Sequence, residues 1–355
     1  MKDIAKFDKN FKVVTKIERE DLKLFDAEEA PFEIRGVKRE GDKFKRLPLN
    51  VAESVSETVK AFHTSTSGGR IRFVTDSDYV AVVIKSDWLT KTSNMSLLGS
   101  AGIDIYVEEN NKQVFKGQIA PQLKDEDGYE GIVDFYSKTE RLVTVNLPLY
   151  SSVTKVFIGL KEGSKISAPR PYKYEQPIVF YGSSITQGSA ASRPGTCYPA
   201  IVSRYFDTDY LNLGFSGGAK GEDAIAEYIS NLDMRCFVMD YDYNASSAEE
   251  LENTHEKMFK KIREKHPDIP VLIMSRPQHT LLGNALLRRD IIFKTYKNAV
   301  ENGDKNVAFL DGTKLIDEFI EQTATVDMCH PNDSGFASMA KAVVKKLEEL
   351  GYKKV

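Results

Sequence analysis

Ile178-Val179-Phe180-Tyr181-Gly182-Ser183-Ser184-Ile185-Thr186-Gln187-Gly188 decides how this chain folds. Four apolar residues in a row, bounded by a glycine and two serines, read as a short strand buried on both faces and then a sharp turn. Further runs of this kind recur at 210–213, 236–239, Val271–Met274 and Val307–Leu310, with helix-like stretches between them. The clearest helix spans 247–265. It opens on Ser246-Ser247-Ala248-Glu249-Glu250, a capping-box pattern, and stops at His266-Pro267. A last helix over 334–350 follows Asn332-Asp333, either of which can cap it, and ends at Gly351. Alternating strands and helices predict a parallel sheet with right-handed crossovers and helices on both faces, an α/β/α three-layer domain.

Upstream the texture changes. From 26 to 160 short apolar runs alternate with turn clusters. Ile71-Arg72-Phe73-Val74 and 79–84 flank Asp76-Ser77-Asp78, and Ile103-Asp104-Ile105-Tyr106-Val107 leads through Glu108-Glu109-Asn110-Asn111 to Gln113-Val114-Phe115, a hairpin signature. Runs at 142–145 and 153–160 continue the pattern, and no helical period of useful length is present. Many short strands predict a β-sandwich, jelly-roll-like, over residues 1–165, ahead of the α/β/α domain over 166–355. The stretch 163–176, with Pro169 and Pro171, reads as the linker.

The chain has 355 residues, enough for two domains, with 41% hydrophobic and 28% charged residues. A formal net charge of −3 offers nothing to a phosphate backbone, so nucleic acid is an unexpected partner. The 3 cysteines, Cys197, Cys236 and Cys329, are far apart and form no zinc-type cluster, which reads as free thiols and no metal. No run is long enough to span a membrane, and the charged N-terminus has no leader-like apolar core. The expectation is a cytoplasmic protein without a membrane partner or cofactor; oligomeric state is not legible.

In open parallel sheets ligands sit beyond the carboxyl ends of the strands. There the sequence places Gly182-Ser183-Ser184 after the first strand and Gly214-Phe215-Ser216-Gly217-Gly218 after the second. Asp240-Tyr241-Asp242-Tyr243-Asn244 follows the third, and Asp327-Met328-Cys329-His330 precedes the last helix. Acyl transfer needs these parts. A serine hydroxyl requires a base, imidazole titrates near neutrality, and a carboxylate fixes its tautomer. The oxyanion needs donors already in place, here the N–H groups of Ser184 and Gly217 and the amide of Asn244.

Taken together these blocks resemble the SGNH/GDSL hydrolase family. Gly182-Ser183-Ser184 stands for the Gly-Asp-Ser block, Gly217 for the oxyanion glycine, Asn244 for the asparagine block, and Asp327-Met328-Cys329-His330 for the Asp-x-x-His block. The resemblance covers roughly 177–352. Gly102-Ile103-Asp104-Ile105-Tyr106 is similar to the Gly-x-Asp-Leu-Tyr signature of the small β-domain found in one branch of that family. Two departures stand out: Ser183 replaces the usual Asp, and Asn244 lacks the Gly-x-Asn-Asp context. The resemblance implies a flavodoxin-like SGNH hydrolase domain, a serine esterase with Ser184, His330 and Asp327 as triad, and relatives that include carbohydrate esterases.

Plainer readings exist for each residue. Gly217 and Gly218 suit a positive-φ turn, Asn244 can cap the following helix, and Asp327 with His330 can be a surface pair. Arg193 is a candidate substrate contact or a surface salt bridge. His279, after the fourth strand, can line the pocket; His255 and His266 read as solvated. Trp88, the sole Trp, is a sugar platform or, more commonly, a buried strand-end residue. A polar rim of Gln187, Ser189, Ser192, Arg193, Gln278 and His279 suits a hydroxyl-rich small-molecule or oligosaccharide ester. The expected function is hydrolysis of short acyl, notably O-acetyl, esters on carbohydrates. The alternatives are an acyltransferase, a lipase or thioesterase, and a non-catalytic carbohydrate-binding protein.

Overall fold

In the computed structural model, which describes residues 15–278 and 283–354, two folding units share the chain. The first is built from two antiparallel sheets. One has the strand order Leu22–Asp26, Lys155–Lys161, Tyr79–Lys85, Gly128–Asp134; the other runs Ile166–Ser167, Arg70–Thr75, Arg141–Asn146, Ile103–Glu109, Lys112–Ile119, with Glu33–Arg35 beside Arg70–Thr75. Alternate residues of both sheets, such as Val80, Val82, Ile158, Phe73, Val143 and Ile105, enter one apolar cluster. The 103–119 hairpin turns at Asn110 and Asn111, both at positive φ, a conformation asparagine tolerates better than most residues. Strands Arg70–Thr75 and Tyr79–Lys85, consecutive in sequence, part into different sheets at Asp76-Ser77-Asp78 rather than pairing.

The second unit holds a five-stranded parallel sheet in the order Thr208–Gly214, Tyr174–Gly182, Cys236–Asp240, Val271–Met274, Val307–Leu310. That is the doubly wound order expected of a flavodoxin-like fold. Because each strand is covered on both faces, its residues divide alternately between two clusters. Ile178, Phe180 and Val238 meet helices Tyr198–Phe206 and Asp333–Glu349. Val179, Tyr181 and Met239 meet Asp223–Ser230, Ala248–Lys265 and Asn284–Glu301. The long helix starts where Ser247 Oγ accepts the Glu250 N–H at 3.0 Å, and the last where Asn332 Oδ1 accepts from Ser334 and Gly335.

The N-terminal half also contains helices Leu49–Val55, Glu57–Phe62 and Leu97–Ala101, which the sequence pattern did not predict. Helices this short show no usable period. They are held by capping, as where Ser56 accepts from Val59 N–H, and by burial, since Leu47, Ala52 and Val59 enter the core of the second unit.

Asp104, in the Gly102–Tyr106 stretch, fastens the two units. Its fully buried carboxylate accepts from Asn146 Nδ2 and from the backbone N–H of Gly195, both at 2.8 Å. Burial raises its pKa, and these two bonds, with nearby Arg204 and Arg193, act to lower it. A Cβ on Gly195 would lie 2.6 Å from the Tyr106 ring, so only glycine allows the approach. Asp104→Ala leaves two buried donors without partners and should cost about 3 kcal/mol in urea unfolding. Asp104→Asn, which keeps an acceptor, should cost less, and equal losses for the two would rule out this account.

Candidate functional site

Strands Thr208–Gly214 and Cys236–Asp240 lie on opposite sides of Tyr174–Gly182, and the crevice opens at the carboxyl ends where the order reverses. Ser184 is the first residue of the short helix Ser184–Gln187, directly after strand Tyr174–Gly182. The turn is tight: a Cβ on Gly182 would fall 2.2 Å from Thr186 Oγ1 and 2.3 Å from Asp240 O. Ser183 Oγ caps the helix by accepting from Ile185 N–H, while Ser183 N–H donates to Asp240 O. Ser183 thus serves as the N-cap of this turn.

His330 approaches from the loop before the last helix. Its Nε2 lies 2.9 Å from Ser184 Oγ, and its Nδ1 lies 2.7 Å from Asp327 Oδ2. Asp327 Oδ1 also accepts the His330 and Cys329 backbone N–H groups. Partial burial works against the Asp327 carboxylate, but the His330 backbone and ring and the Cys329 N–H outweigh it and hold its pKa at about 2. It is ionised throughout the neutral range and can accept from an imidazole N–H. The turn closes through Val326 N–H to His330 O and puts Met328 at φ 66, with its side chain in solvent.

The Ser184 and Gly217 N–H groups have no protein acceptor among the described residues. Gly217 has φ 69, and nothing lies within 4 Å of where its Cβ would be, so the turn needs its backbone conformation rather than the space. Asn244 ends the one-turn segment Asp242–Asn244 and spends one amide hydrogen on Phe215 O at 2.8 Å, which ties it to the glycine loop. The second amide hydrogen remains for a ligand.

Support for these loops comes from residues the sequence reading passed over. Buried Asp242 accepts from Arg276 and Arg288, which together outweigh its desolvation, lower its pKa and pin the Asn244 turn. Thr186 Oγ1 and Tyr198 OH both reach Asp240 Oδ2, at 2.9 and 3.2 Å, beneath the Ser184 turn. Tyr150 OH, from the first unit, donates to Ser184 O at 3.3 Å. Asp240 ends the third strand, Asp242 follows it and Arg276 follows the fourth, positions that could have singled them out. Tyr150 carries no such signal.

Several expected surface residues have other employment. Gln187 is fully buried, with Oε1 accepting from Ser216 N–H and Nε2 donating to Leu149 O, and Ser189 is also buried, so neither is part of a rim. Ser192 hydrogen-bonds Asp333 through both its N–H and its hydroxyl. Arg193 turns to the first unit: its guanidinium lies 4.0 Å from the Phe115 ring centre and 3.8 Å from Asp104 Oδ2. His255 is buried rather than solvated, with Nδ1 2.8 Å from Thr295 Oγ1, and burial pulls its pKa to about 3. His266 is half-buried, its Nε2 3.0 Å from Ser230 O. Trp88 is not a buried strand-end residue: it is 38% exposed and leans on Phe62, which in turn meets Tyr150 edge-on. His279 lies outside the described residues. A cleft of about 620 Å³ between helices Ala248–Lys265 and Asn284–Glu301 shares no residue with this site.

No group of three or more His, Cys, Asp or Glu side chains among the described residues is placed to hold a metal, and no helix among them is long and apolar enough to cross a membrane.

Comparison with known proteins divides the chain where the sheets do. Residues 175–348 match the GDSL-like lipase/acylhydrolase family, and residues 22–166 match the N-terminal domain of SGNH-hydrolase-type esterases. A search of curated proteins gives no match. Among solved structures, a protein from Bacteroides ovatus ATCC 8483 assigned as a GDSL-like lipase superposes with a TM-score of 0.82 at 28% identity, covering 93% of this chain and 98% of its own. The salicylyl-acyltransferase SsfX3 from a tetracycline biosynthetic pathway gives 0.75 at 19% identity, covering 94% and 99%. A family two carbohydrate esterase from Clostridium thermocellum, in complex with cellohexaose, gives 0.63 at 15% identity, covering 91% and 100%.

Burial raises the Asp240 pKa to about 7, against the bonds from Thr186 and Tyr198. Its folded-state pKa thus lies above the unfolded value of about 3.9, so its contribution to stability is complete below that value and is lost as pH rises towards 7. Asp240→Asn has no proton to lose. Its Tm relative to wild type should therefore climb between pH 5 and pH 8; a difference that stays constant over this range would show that Asp240 does not titrate there.

Proposed function

This chain belongs to the GDSL-like lipase/acylhydrolase family and is an esterase-type enzyme, and from that premise we propose that Ser184 is its nucleophile, acting on short acyl esters of carbohydrates. The observation that carries the proposal is the unbroken chain Ser184 Oγ–His330 Nε2 at 2.9 Å and His330 Nδ1–Asp327 Oδ2 at 2.7 Å. His330 takes the hydroxyl proton as Ser184 Oγ attacks the ester carbonyl. Asp327 holds the imidazole in the tautomer whose Nε2 is free to accept and stabilises the imidazolium that forms. The carbonyl oxygen, now negative, is met by the N–H groups of Ser184 and Gly217 and the Asn244 amide. Collapse of the tetrahedral species expels the alcohol, which takes the proton from His330. Water, deprotonated by the same imidazole, then releases the acid.

The carbohydrate reading draws on two supports. Trp88 on the first unit is 38% exposed, and aromatic faces suit sugar rings. The Clostridium thermocellum relative of matching length is a carbohydrate esterase. A second reading, with a larger apolar or aromatic acyl group or transfer to an alcohol, is favoured by Phe319, Val326 and Met328. All three are exposed: Val326 directly precedes the Asp327–His330 turn, Met328 is in it, and Phe319 lies in the preceding segment Glu318–Thr323.

Ser184→Ala should abolish turnover with little change in Tm, and a serine-directed phosphonate should label Ser184 in the wild type; labelling of Ser183 or Ser216 instead overturns the assignment. Asn244→Ala should lower kcat by roughly 10²–10³-fold. Asp327→Asn should lower it through the tautomer, while EDTA should leave the rate unchanged. Acetyl, butyryl and octanoyl esters compared by kcat/KM, with acetate release from acetylated oligosaccharides and acyl transfer to added sugars, decide the substrate class. Preference for octanoyl without acetate release discards the carbohydrate reading.

A further inference from the structure

The first unit reaches further into the site than an accessory domain needs to. Arg46, ahead of helix Leu49–Val55, is buried, and no carboxylate among the described residues pairs with it. Its guanidinium instead donates to four carbonyls. Nε reaches Ser65 O at 2.7 Å and Nη2 reaches Phe62 O at 2.9 Å, while Nη1 spans Asn212 O at 3.0 Å and Gly214 O at 2.6 Å. The last two acceptors belong to strand Thr208–Gly214, which lies at the edge of the parallel sheet. An edge strand has one row of backbone groups without a neighbouring strand, and buried carbonyls need a donor. Arg46 supplies it. Its charge also lies 4.7 Å from the Phe215 ring centre, at the first residue of the glycine loop. Burial pulls the guanidinium down to about 9, which leaves it charged at neutral pH.

Tyr150, of the same unit, completes the contact. Its hydroxyl donates to Ser184 O and also lies within reach of Ser189 and Ser216. One side chain thus holds the start of the loop that carries Gly217, and the other touches both that loop and the Ser184 turn. Neither reaches the reacting atoms.

We propose that Arg46 and Tyr150 are positioning residues: the N-terminal unit sets the spacing between the Ser184 turn and the Gly217 loop, and so builds the oxyanion site. The inference rests on the reading of Ser184 as nucleophile and Gly217 as oxyanion donor. A buried arginine held by backbone carbonyls fits this task because its planar fork fixes several directions at once, which an ammonium does not. Displacing a preorganised donor by a fraction of an ångström raises the barrier without weakening substrate binding.

The test uses the full chain with Arg46→Lys and Tyr150→Phe, each also combined with Asn244→Ala. Competent sites are counted by complete phosphonate titration, so kcat is expressed per intact site and unfolded protein drops out. Arg46→Lys keeps the charge and loses the fork; kcat per site should fall about 10- to 100-fold with KM within about twofold. Tyr150→Phe, which removes one hydroxyl, should lose about 3- to 10-fold in the same way. Each loss should shrink when Asn244→Ala is already present, because the damage falls on the same oxyanion site. If these side chains only stabilise the fold, the number of titratable sites or the Tm drops while kcat per site stays at the wild-type value, and the proposal fails. Should Arg46→Lys not fold, Tyr150→Phe decides alone, with wild-type kcat per site overturning the proposal. Failure of the underlying reading is distinguishable, because there Ser184→Ala retains activity or the phosphonate labels another residue.

Discussion

A carboxylate taken out of water must find hydrogen-bond donors, and for Asp104 those donors lie on both sides of the boundary between the two units. Much else follows from that demand. Gly195 is drawn against the Asp104 and Tyr106 side chains, which fixes the segment that joins the Ser184 turn to helix Tyr198–Phe206. Within the same segment Ser192 N–H and Thr196 Oγ1 donate to Asp333, three residues beyond His330. The Gly102–Tyr106 stretch is thus coupled through three links to the imidazole beside Ser184. A motif that reads as a domain label in sequence is, physically, the far end of a hydrogen-bonded path to the site.

Convergence at the carboxyl ends of the strands brings the candidate residues together. Three of the loops leave the ends of adjacent parallel strands, so Ser184, Gly217 and Asn244 are brought close by topology before any side chain interacts. What remains is fine adjustment, and it is carried by buried polar groups: Gln187 to Ser216, Asn244 to Phe215, Asp242 to Arg276 and Arg288. Each satisfies a group that would be costly if left alone, and each fixes one loop against another. Here stability and preorganisation have the same physical source.

Legibility in the sequence followed the range of the forces involved. The five parallel strands were visible because a strand covered on both faces is a continuous apolar run, and the 103–119 hairpin because Asn110-Asn111 tolerates positive φ. The chemical blocks were visible because serine after a strand and Asp-x-x-His before a helix are local patterns; in the fold Ser184 and His330 are within hydrogen-bond distance across 146 residues. Destinations of single polar side chains were not visible. Gln187 finds Ser216 29 residues away and His255 finds Thr295 40 residues away, and neither pairing leaves a mark near the residue itself. The helices Leu49–Val55 and Glu57–Phe62 were missed for the same reason, since what stabilises them is the core of the other unit.

The Asp327–His330 turn is closed on itself. Its carboxylate binds the ring and two backbone N–H groups of the same four residues, and Val326 N–H to His330 O shuts the loop. Imidazole and carboxylate therefore travel as one cartridge. If this cartridge lifts away on warming, the Ser184 contact is lost while the His330–Asp327 pair stays assembled. Reseating the turn then restores the Ser184 contact without rebuilding the His330–Asp327 pair.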